Sequence, residues 1–174
     1  DQVGSLKFDC LYTDAQTKLM KCVELLLKAG EIQWQGSLRA TYNKYLHPDV
    51  LDYKNPQMWE DMQNGKIANL FQFETQVGAV CIKRTRPTSV AELGAANAVM
   101  RLMGEDGEER PLDRYVRFRN NINEWYKEMN EAGLTPEEQQ VLKEELLSKY
   151  GNSVEQEDMM RLVQRPEIAN FTLG

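Results

Sequence analysis

The chain has 174 residues, 41% of them apolar and 28% charged, with a formal net charge of −6. That length suffices for one sizeable domain, or for a small piece joined to a larger one, and the composition is ordinary for a soluble globular protein. No apolar run approaches the ~20 residues needed to span a bilayer, and Asp1-Gln2-Val3-Gly4 has neither the basic nor the apolar part of a signal peptide, so no membrane partner is expected.

Residues 3–9 alternate in part, with Leu6 and Phe8 on one side and Lys7 and Asp9 on the other, which predicts a short strand. Thr13-Asp14 offers a helix start, and Leu19, Cys22, Val23, Leu26 and Leu27 form one helical stripe that stops at Gly30. A second helix is predicted over 37–46, stopped by His47-Pro48. A third runs from Pro56 to about Asn64, capped by Asn55 and closed by Gly65. Residues 67–73 read as a short extended segment. Helices follow at about 75–84 and 89–103, the latter opened by Ser89-Val-Ala-Glu92, a capping box in which Ser89 and Glu92 satisfy each other's backbone donors. An acidic loop over 104–110 precedes a long helix from about Leu112 to Asn130 that ends before Gly133. Thr135-Pro-Glu-Glu138 is a second capping box, opening a helix to about Tyr150 with Val141, Leu142 and Leu146 inward, and a last helix spans about 154–164. The fold class is therefore mainly α with one or two short N-terminal strands. A lone strand is marginal without neighbours, so residues 3–9 are expected to edge a sheet supplied by other sequence.

Three cysteines without CxxC spacing, Cys10, Cys22 and Cys81, argue against a disulfide framework or zinc site and for a reducing, cytoplasmic setting. The single histidine, His47, reads as a turn residue. The charge is unevenly spread: residues 1–73 carry 8 Lys and Arg against 9 Asp and Glu, residues 74–119 carry 8 against 7, and residues 120–174 carry 5 against 11. A globally acidic chain is not an obvious nucleic-acid binder, so any such contact must come from a local basic face, and the middle segment is the one candidate. Trp59, Phe71, Phe73, Trp125 and Met159 occupy positions that read as core packing rather than base stacking.

Lys7 and Asp9 share a strand face, since side chains two apart point the same way. A carboxylate at a strand end can ligate Mg²⁺ and a neighbouring lysine can bind a phosphate oxygen; from spacing alone, most such pairs are surface ion pairs. Lys83, Arg84, Arg86 and Arg101 are either phosphate-binding cations or a solvated basic face.

In order along the chain stand Lys7-Phe-Asp9, Phe71-Gln-Phe-Glu74, the basic stretch Ile82-Lys-Arg-Thr-Arg-Pro-Thr-Ser89, Asn97-Ala-Val-Met-Arg101, Tyr150-Gly151, Gln156-Glu-Asp-Met-Met160 and Phe171-Thr-Leu-Gly174. This succession resembles the C-family replicative DNA polymerases, the alpha catalytic subunit of bacterial DNA polymerase III and its phage relatives, from the last palm strand through most of the fingers. The resemblance implies a palm strand and helix over residues 1–30 and a helical fingers domain over 31–174. It implies that Asp9 is the third metal-binding palm aspartate of a two-Mg²⁺ site, and that Lys7 lies near the incoming nucleotide's phosphates. It further implies that Lys83, Arg84, Arg86 and Arg101 meet nucleotide and template. Primer–template DNA, a deoxynucleoside triphosphate, and a missing palm segment or other polymerase subunits are the implied partners.

Several positions depart from the family pattern. Its D-x-L-G-L becomes Asp9-Cys-Leu-Tyr-Thr13, its R-P-G-P becomes Arg101-Leu-Met-Gly104, its R-K pair becomes Arg117-Phe-Arg119, and Glu155 replaces a tyrosine. A divergent phage or mobile-element polymerase fits these changes better than a cellular one. The family's P-D-x-D-x-D segment does not occur in this sequence, so the chain by itself is expected to be inactive. The alternative reading is a non-catalytic helical module of the same family that binds nucleic acid or protein.

Overall fold

The computed structural model describes residues 14–68, 70–104 and 107–171. The chain divides into two compact units, residues 1–52 and 53–174. The expected strand at 3–9, with Lys7 and Asp9, lies outside the described residues.

In the first unit, α1 (Asp14–Ala29) carries Asp14 in its first turn and Lys28 in its last, each matched to the helix dipole. It ends where Gly30 takes a φ of +75°, a conformation that costs glycine nothing. Val23 is fully buried and Leu26 and Leu27 partly so, but Cys22 faces solvent, so the inward stripe is narrower than expected. A second helix, α2 (Leu38–Tyr45), packs on α1. The Ser37 hydroxyl accepts from the Ala40 N–H at 3.0 Å, and a 3-10 turn over Pro48–Val50 follows.

The second unit opens with α3 (Pro56–Gln63), where the Asn55 side chain accepts from the Gln57 N–H at 2.9 Å. Next come α4 (Gln76–Thr85), α5 (Val90–Val99), α6 (Pro111–Asn120), α7 (Ile122–Glu131), α8 (Pro136–Leu146) and α9 (Gln156–Gln164), with a 3-10 turn over Leu147–Lys149 before α9. Phe118, Trp125, Met129, Val141, Leu146 and Leu162 fill a core between α6, α7, α8 and α9. Phe73, Cys81, Ile82 and Ala96 join α4 to α5, and Ala95, Val99, Tyr115 and Val154 join α5 to α6. Each large side chain removed from water contributes up to ~1.5–3 kcal/mol, so these clusters dominate the stability of the unit.

Four expectations are corrected. Among the described residues there is no β-strand, and the described residues of 67–73 lie in turns: Leu70 N–H donates to the Ile67 carbonyl and Phe73 N–H to the Leu70 carbonyl, both at 3.0 Å. The apolar residues Ile67, Leu70 and Phe73 are spaced by three, so successive turns drive all of them into one core, which an alternating strand cannot do. The long helix expected over 112–130 is two, broken at Asn121 with φ −148° and ψ 90°. Asn121 closes α6 through its backbone and caps α7 with its side chain, which accepts from the Asn123 N–H at 3.3 Å. Helix α5 also stops at Val99, with Arg101 and Leu102 held in shorter turns by the Ala98 and Val99 carbonyls. Finally, Trp59, Phe73 and Trp125 are core residues as expected, but Phe71 is 73% exposed and Met159 54% exposed. No helix among the described residues is long and apolar enough to cross a membrane.

Candidate nucleic-acid interface

Helix α4 carries the basic segment. Its N-terminus is fixed by Thr75, whose hydroxyl accepts from the Gly78 N–H at 3.1 Å. Gly78 then lies so close to the preceding turn that a Cβ there would stand 2.4 Å from the Phe73 Cα. Cys81 and Ile82 point into the core. Burial pushes the Cys81 thiol up to about 11, so it is neutral and unreactive at physiological pH. Thr85 is also buried, its hydroxyl donating to the Cys81 carbonyl at 2.9 Å.

Lys83, Arg84 and Arg86 are what remains outside. All three are exposed on the last turn and cap of α4. A helix C-terminus favours cations by ~0.3–1 kcal/mol, which is a local reason for basic residues there whatever they bind. Arg84 is committed to Asp113 of α6 at 2.6 Å. No side-chain hydrogen bond or ion pair engages Lys83 or Arg86 among the described residues. The structure therefore gathers Lys83, Arg84 and Arg86 at one end.

Arg101 does not join them. Helices α4 and α5 form an antiparallel pair: the Cys81 thiol donates to the Ala96 carbonyl at 3.4 Å midway, the short turn 86–89 links one end, and Val77 shares a groove with Val99, Met100 and Leu102 at the other. Arg101, just past the end of α5, thus stands at the opposite end of the pair. It is exposed and lines a shallow groove with Asn97, Gln156 and Glu157.

The turn beneath the basic end is tied down from several sides. Arg86 adopts φ 44° and ψ 58°, a left-handed conformation that costs a non-glycine residue roughly 1–2 kcal/mol. The Arg119 guanidinium of α6 donates to the Arg86 carbonyl at 2.8 Å, and Gln63 of α3 donates to the Pro87 carbonyl at 3.0 Å. The Glu92 carboxylate accepts from the Thr88 N–H at 2.7 Å, from the Thr88 hydroxyl at 2.9 Å and from the Tyr150 hydroxyl. The expected capping box at Ser89 is thus half present. Ser89 accepts from the Glu92 N–H at 3.2 Å, while the Glu92 carboxylate reaches one residue further back, to Thr88. Burial by itself would raise the Glu92 carboxyl, but the bonds from Tyr150 and Thr88 and the charge of Arg119 hold it below its ordinary value. Burial and the adjoining Glu92 push the Tyr150 hydroxyl up to about 12.

Sequence reasoning missed this clasp of Glu92, Arg119 and Tyr150. The signals were present, as the Ser-x-x-Glu spacing and the Tyr150-Gly151 pair, but nothing local says that Glu92 and Tyr150 meet across 58 positions. Tyr150 is itself left-handed, with φ 52°, and a Cβ at Gly151 would stand 2.3 Å from the Trp125 ring, so the pair is shaped to pack that corner. Arg117, by contrast, is fully engaged with Glu109, Glu124 and Glu128 at 2.6–3.1 Å, binding α6 to α7. Those carboxylates and hydrogen bonds hold its guanidinium firmly in the charged form.

A helical unit with an exposed basic corner is consistent with nucleic-acid binding. The chain belongs to the bacterial DNA polymerase III alpha subunit finger domain family, whose model matches residues 32–174. Among curated proteins it is similar to the protein named Probable DNA polymerase YorL of Bacillus subtilis (strain 168) and to the DNA-directed DNA polymerase of Bacillus phage SPbeta. Each is 43% identical over 173 residues, 99% of this chain and 13% of the relative. It is also 26% identical over 174 residues to the DNA polymerase III subunit alpha of Treponema pallidum (strain Nichols), again 13% of that protein. The chain therefore spans about an eighth of the length of these relatives. No solved structure matches it significantly. Among the described residues no group of three or more His, Cys, Asp or Glu side chains is placed to hold a metal ion.

Proposed function

We propose that the chain is the fingers part of a DNA-directed DNA polymerase, with residues 1–30 ending the palm and residues 31–174 forming the helical fingers. The observation that carries this reading is the exposed cationic end of α4, where Lys83 and Arg86 stand without side-chain partners among the described residues, in a chain of this family. The names of the similar proteins support the reaction class, template-directed transfer of a deoxynucleotide to a primer. In this reading Lys83 and Arg86 meet phosphates of primer–template DNA or of the incoming nucleotide, with Arg84 assisting once it leaves Asp113. Guanidinium suits phosphate because it offers parallel donors to two oxygens. Arg101 would contact the substrates from the other end of the α4–α5 pair.

Lys7 and Asp9 are proposed as the palm contribution, Lys7 toward triphosphate and Asp9 as a metal ligand. One carboxylate cannot hold two ions, so in this reading the site would be completed by palm carboxylates from outside this sequence. Two Mg²⁺ ions, once bound, would neutralise charge on the transferring phosphoryl group and acidify the primer 3′-hydroxyl. The 174-residue chain by itself should then bind DNA without extending a primer, in a cytoplasmic setting.

A second reading, a non-catalytic nucleic-acid- or protein-binding module, is favoured by one observation: Arg101-Leu-Met-Gly104 replaces the family's proline turn, and Arg101 lies away from the other cations. Two measurements test these readings. Replacing Lys83, Arg84 and Arg86 with alanine should lower the slope of log affinity for primer–template DNA against log salt by about 2, since each lost phosphate contact removes about 1 and Arg84 is partly diverted to Asp113. An unchanged slope would reduce the three to surface charge. In a longer chain that carries the palm carboxylates, Asp9→Asn should abolish primer extension; extension at the unmodified rate would remove Asp9 from the metal site.

A further inference from the structure

We infer that Arg119 is a positioning residue for the proposed DNA-binding corner: it acts through the Arg86 carbonyl, holding the turn so that Arg86 projects outward. The inference rests on the polymerase reading for its ligand but on separate geometry for its mechanism.

Arg86 precedes Pro87, and the residue before a proline is steered by the proline ring toward extended backbone. Here it is left-handed instead, so both its own Cβ and its neighbour oppose the observed conformation. Something must hold it. Pro87 is buried and anchors one side of the turn, but it has no N–H to bond. The Arg86 N–H is used in closing α4 on the Ile82 carbonyl. The Arg86 carbonyl is thus the group through which the rest of the molecule can grip the strained residue, and the Arg119 guanidinium takes it at 2.8 Å.

Arg119 is built into this role rather than swung into it. Its side chain is only 20% exposed, its guanidinium lies 6.0 Å from the centre of the Tyr150 ring, and it stands 3.9 Å from the Glu92 carboxylate. Glu92 in turn is fixed by Thr88 and Tyr150. The Arg119 Nε is buried without a hydrogen-bond partner, a cost that a residue serving only as a surface cation would avoid by turning to water. A guanidinium serves better than an ammonium, because it can face the Tyr150 ring while one nitrogen reaches the carbonyl.

The test is a double-mutant cycle on the 174-residue chain, read by affinity for primer–template DNA at fixed salt. Arg119→Met removes the donor and keeps the bulk, Arg119→Lys keeps a charge and a donor, and Arg86→Ala removes the positioned side chain. Arg86→Ala should weaken binding roughly 3–10-fold, as expected for one lost phosphate contact. Arg119→Met should weaken it to a similar extent, Arg119→Lys less, and the Arg86→Ala/Arg119→Met double variant no more than Arg86→Ala alone. A merely structural residue would show losses that multiply. Folding is monitored through the Trp59 indole N–H, bonded to the Tyr53 carbonyl in another part of the unit, while the Arg86 and Thr88 amide signals should shift in Arg119→Met. If Arg86→Ala weakens binding and Arg119→Met multiplies that loss, or if Arg119→Met changes neither affinity nor the Arg86 amide, the positioning role is wrong and the interface stands. If Arg86→Ala and Lys83→Ala leave affinity unchanged, the interface itself is wrong and positioning falls with it.

Discussion

Gly78 and Gly94 both sit inside helices, on α4 and α5, and neither has the positive φ that would forbid a side chain. By intrinsic propensity, alanine should stabilise either position by ~1 kcal/mol. The surroundings reverse that sign at one of them. A Cβ at Gly94 meets nothing within 4 Å, whereas at Gly78 it would lie 2.4 Å from the Phe73 Cα, 2.6 Å from the Phe73 carbonyl oxygen and 2.7 Å from its carbonyl carbon. Ordinary contact begins near 3.4 Å, so the Phe73 backbone would have to retreat by roughly 1 Å. Phe73 is 2% exposed and packs with Cys81, Ile82 and Ala96, so the shift is transmitted into the core. Overpacking of this kind costs about 1–3 kcal/mol, or more when the clashing atoms are backbone. We expect Gly78→Ala to lose ~2 kcal/mol net and Gly94→Ala to gain ~1 kcal/mol, shifts of roughly 4–8 °C down and 2–4 °C up in Tm. Urea titrations with matched m values check both. Should Gly78→Ala melt at or above the parent while Gly94→Ala rises, the close approach of α4 to the Phe73 turn does not exist.

Tyr150→Phe removes a bond to a half-buried carboxylate and should cost about 1–3 kcal/mol, measured by the same titrations; a loss below 0.5 kcal/mol on the order expected for a surface site would mean that water substitutes freely. The Tyr150 hydroxyl is pushed up to about 12 in the folded chain against an ordinary 10, so its contribution is intact below pH 10 and is lost as pH rises through 12; alkaline melting should reveal this, and Tyr150→Phe should reduce the loss, with the buried Cys81 and Tyr115 still contributing. The sign is opposite for Glu92 and Asp158, both held below their ordinary values: their contributions are intact above the ordinary carboxylate range and are lost as pH falls beneath it, so the chain should lose stability in acid below about pH 4.5. Lys149→Met should cost about 2–3 kcal/mol, because Asp158 is 1% exposed and would keep its two backbone donors but lose the ammonium at 2.5 Å.

The helical architecture was readable from local signals because those signals are local physics. Asn55 before Pro56 and Thr135 three residues before Glu138 each cap the helix they announce. Thr135 and Glu138 form the complete box, each bonded to the other's backbone. The misreadings came where a local pattern had two outcomes. Apolar residues at 67, 70 and 73 suit either an extended run or stacked turns, and only the core formed with Cys81 and Ile82 selects the turns. Asn121 could have lain within a helix; the Arg117 bridge to Glu124 and Glu128 shows how the two halves pack side by side once it breaks them. For the candidate interface, the sequence reading grouped Lys83, Arg84, Arg86 and Arg101 as one set of cations. The antiparallel run of α4 and α5 separates Arg101 from the others. The meeting of Arg119, Glu92 and Tyr150 escaped notice because it depends on contacts up to 58 residues apart.

The turn at residues 86–88 is gripped by its main chain at Arg86 and Pro87, and the Arg86 side chain plays no part in the grip. Its outward chemistry is therefore separable from its architecture. Asparagine, glycine or lysine at position 86, residues of which the first two tolerate left-handed backbone readily, should seat in the same mount and present a different tip. Natural variation or deliberate redesign can thus retune what this corner attracts without rebuilding the helices that carry it.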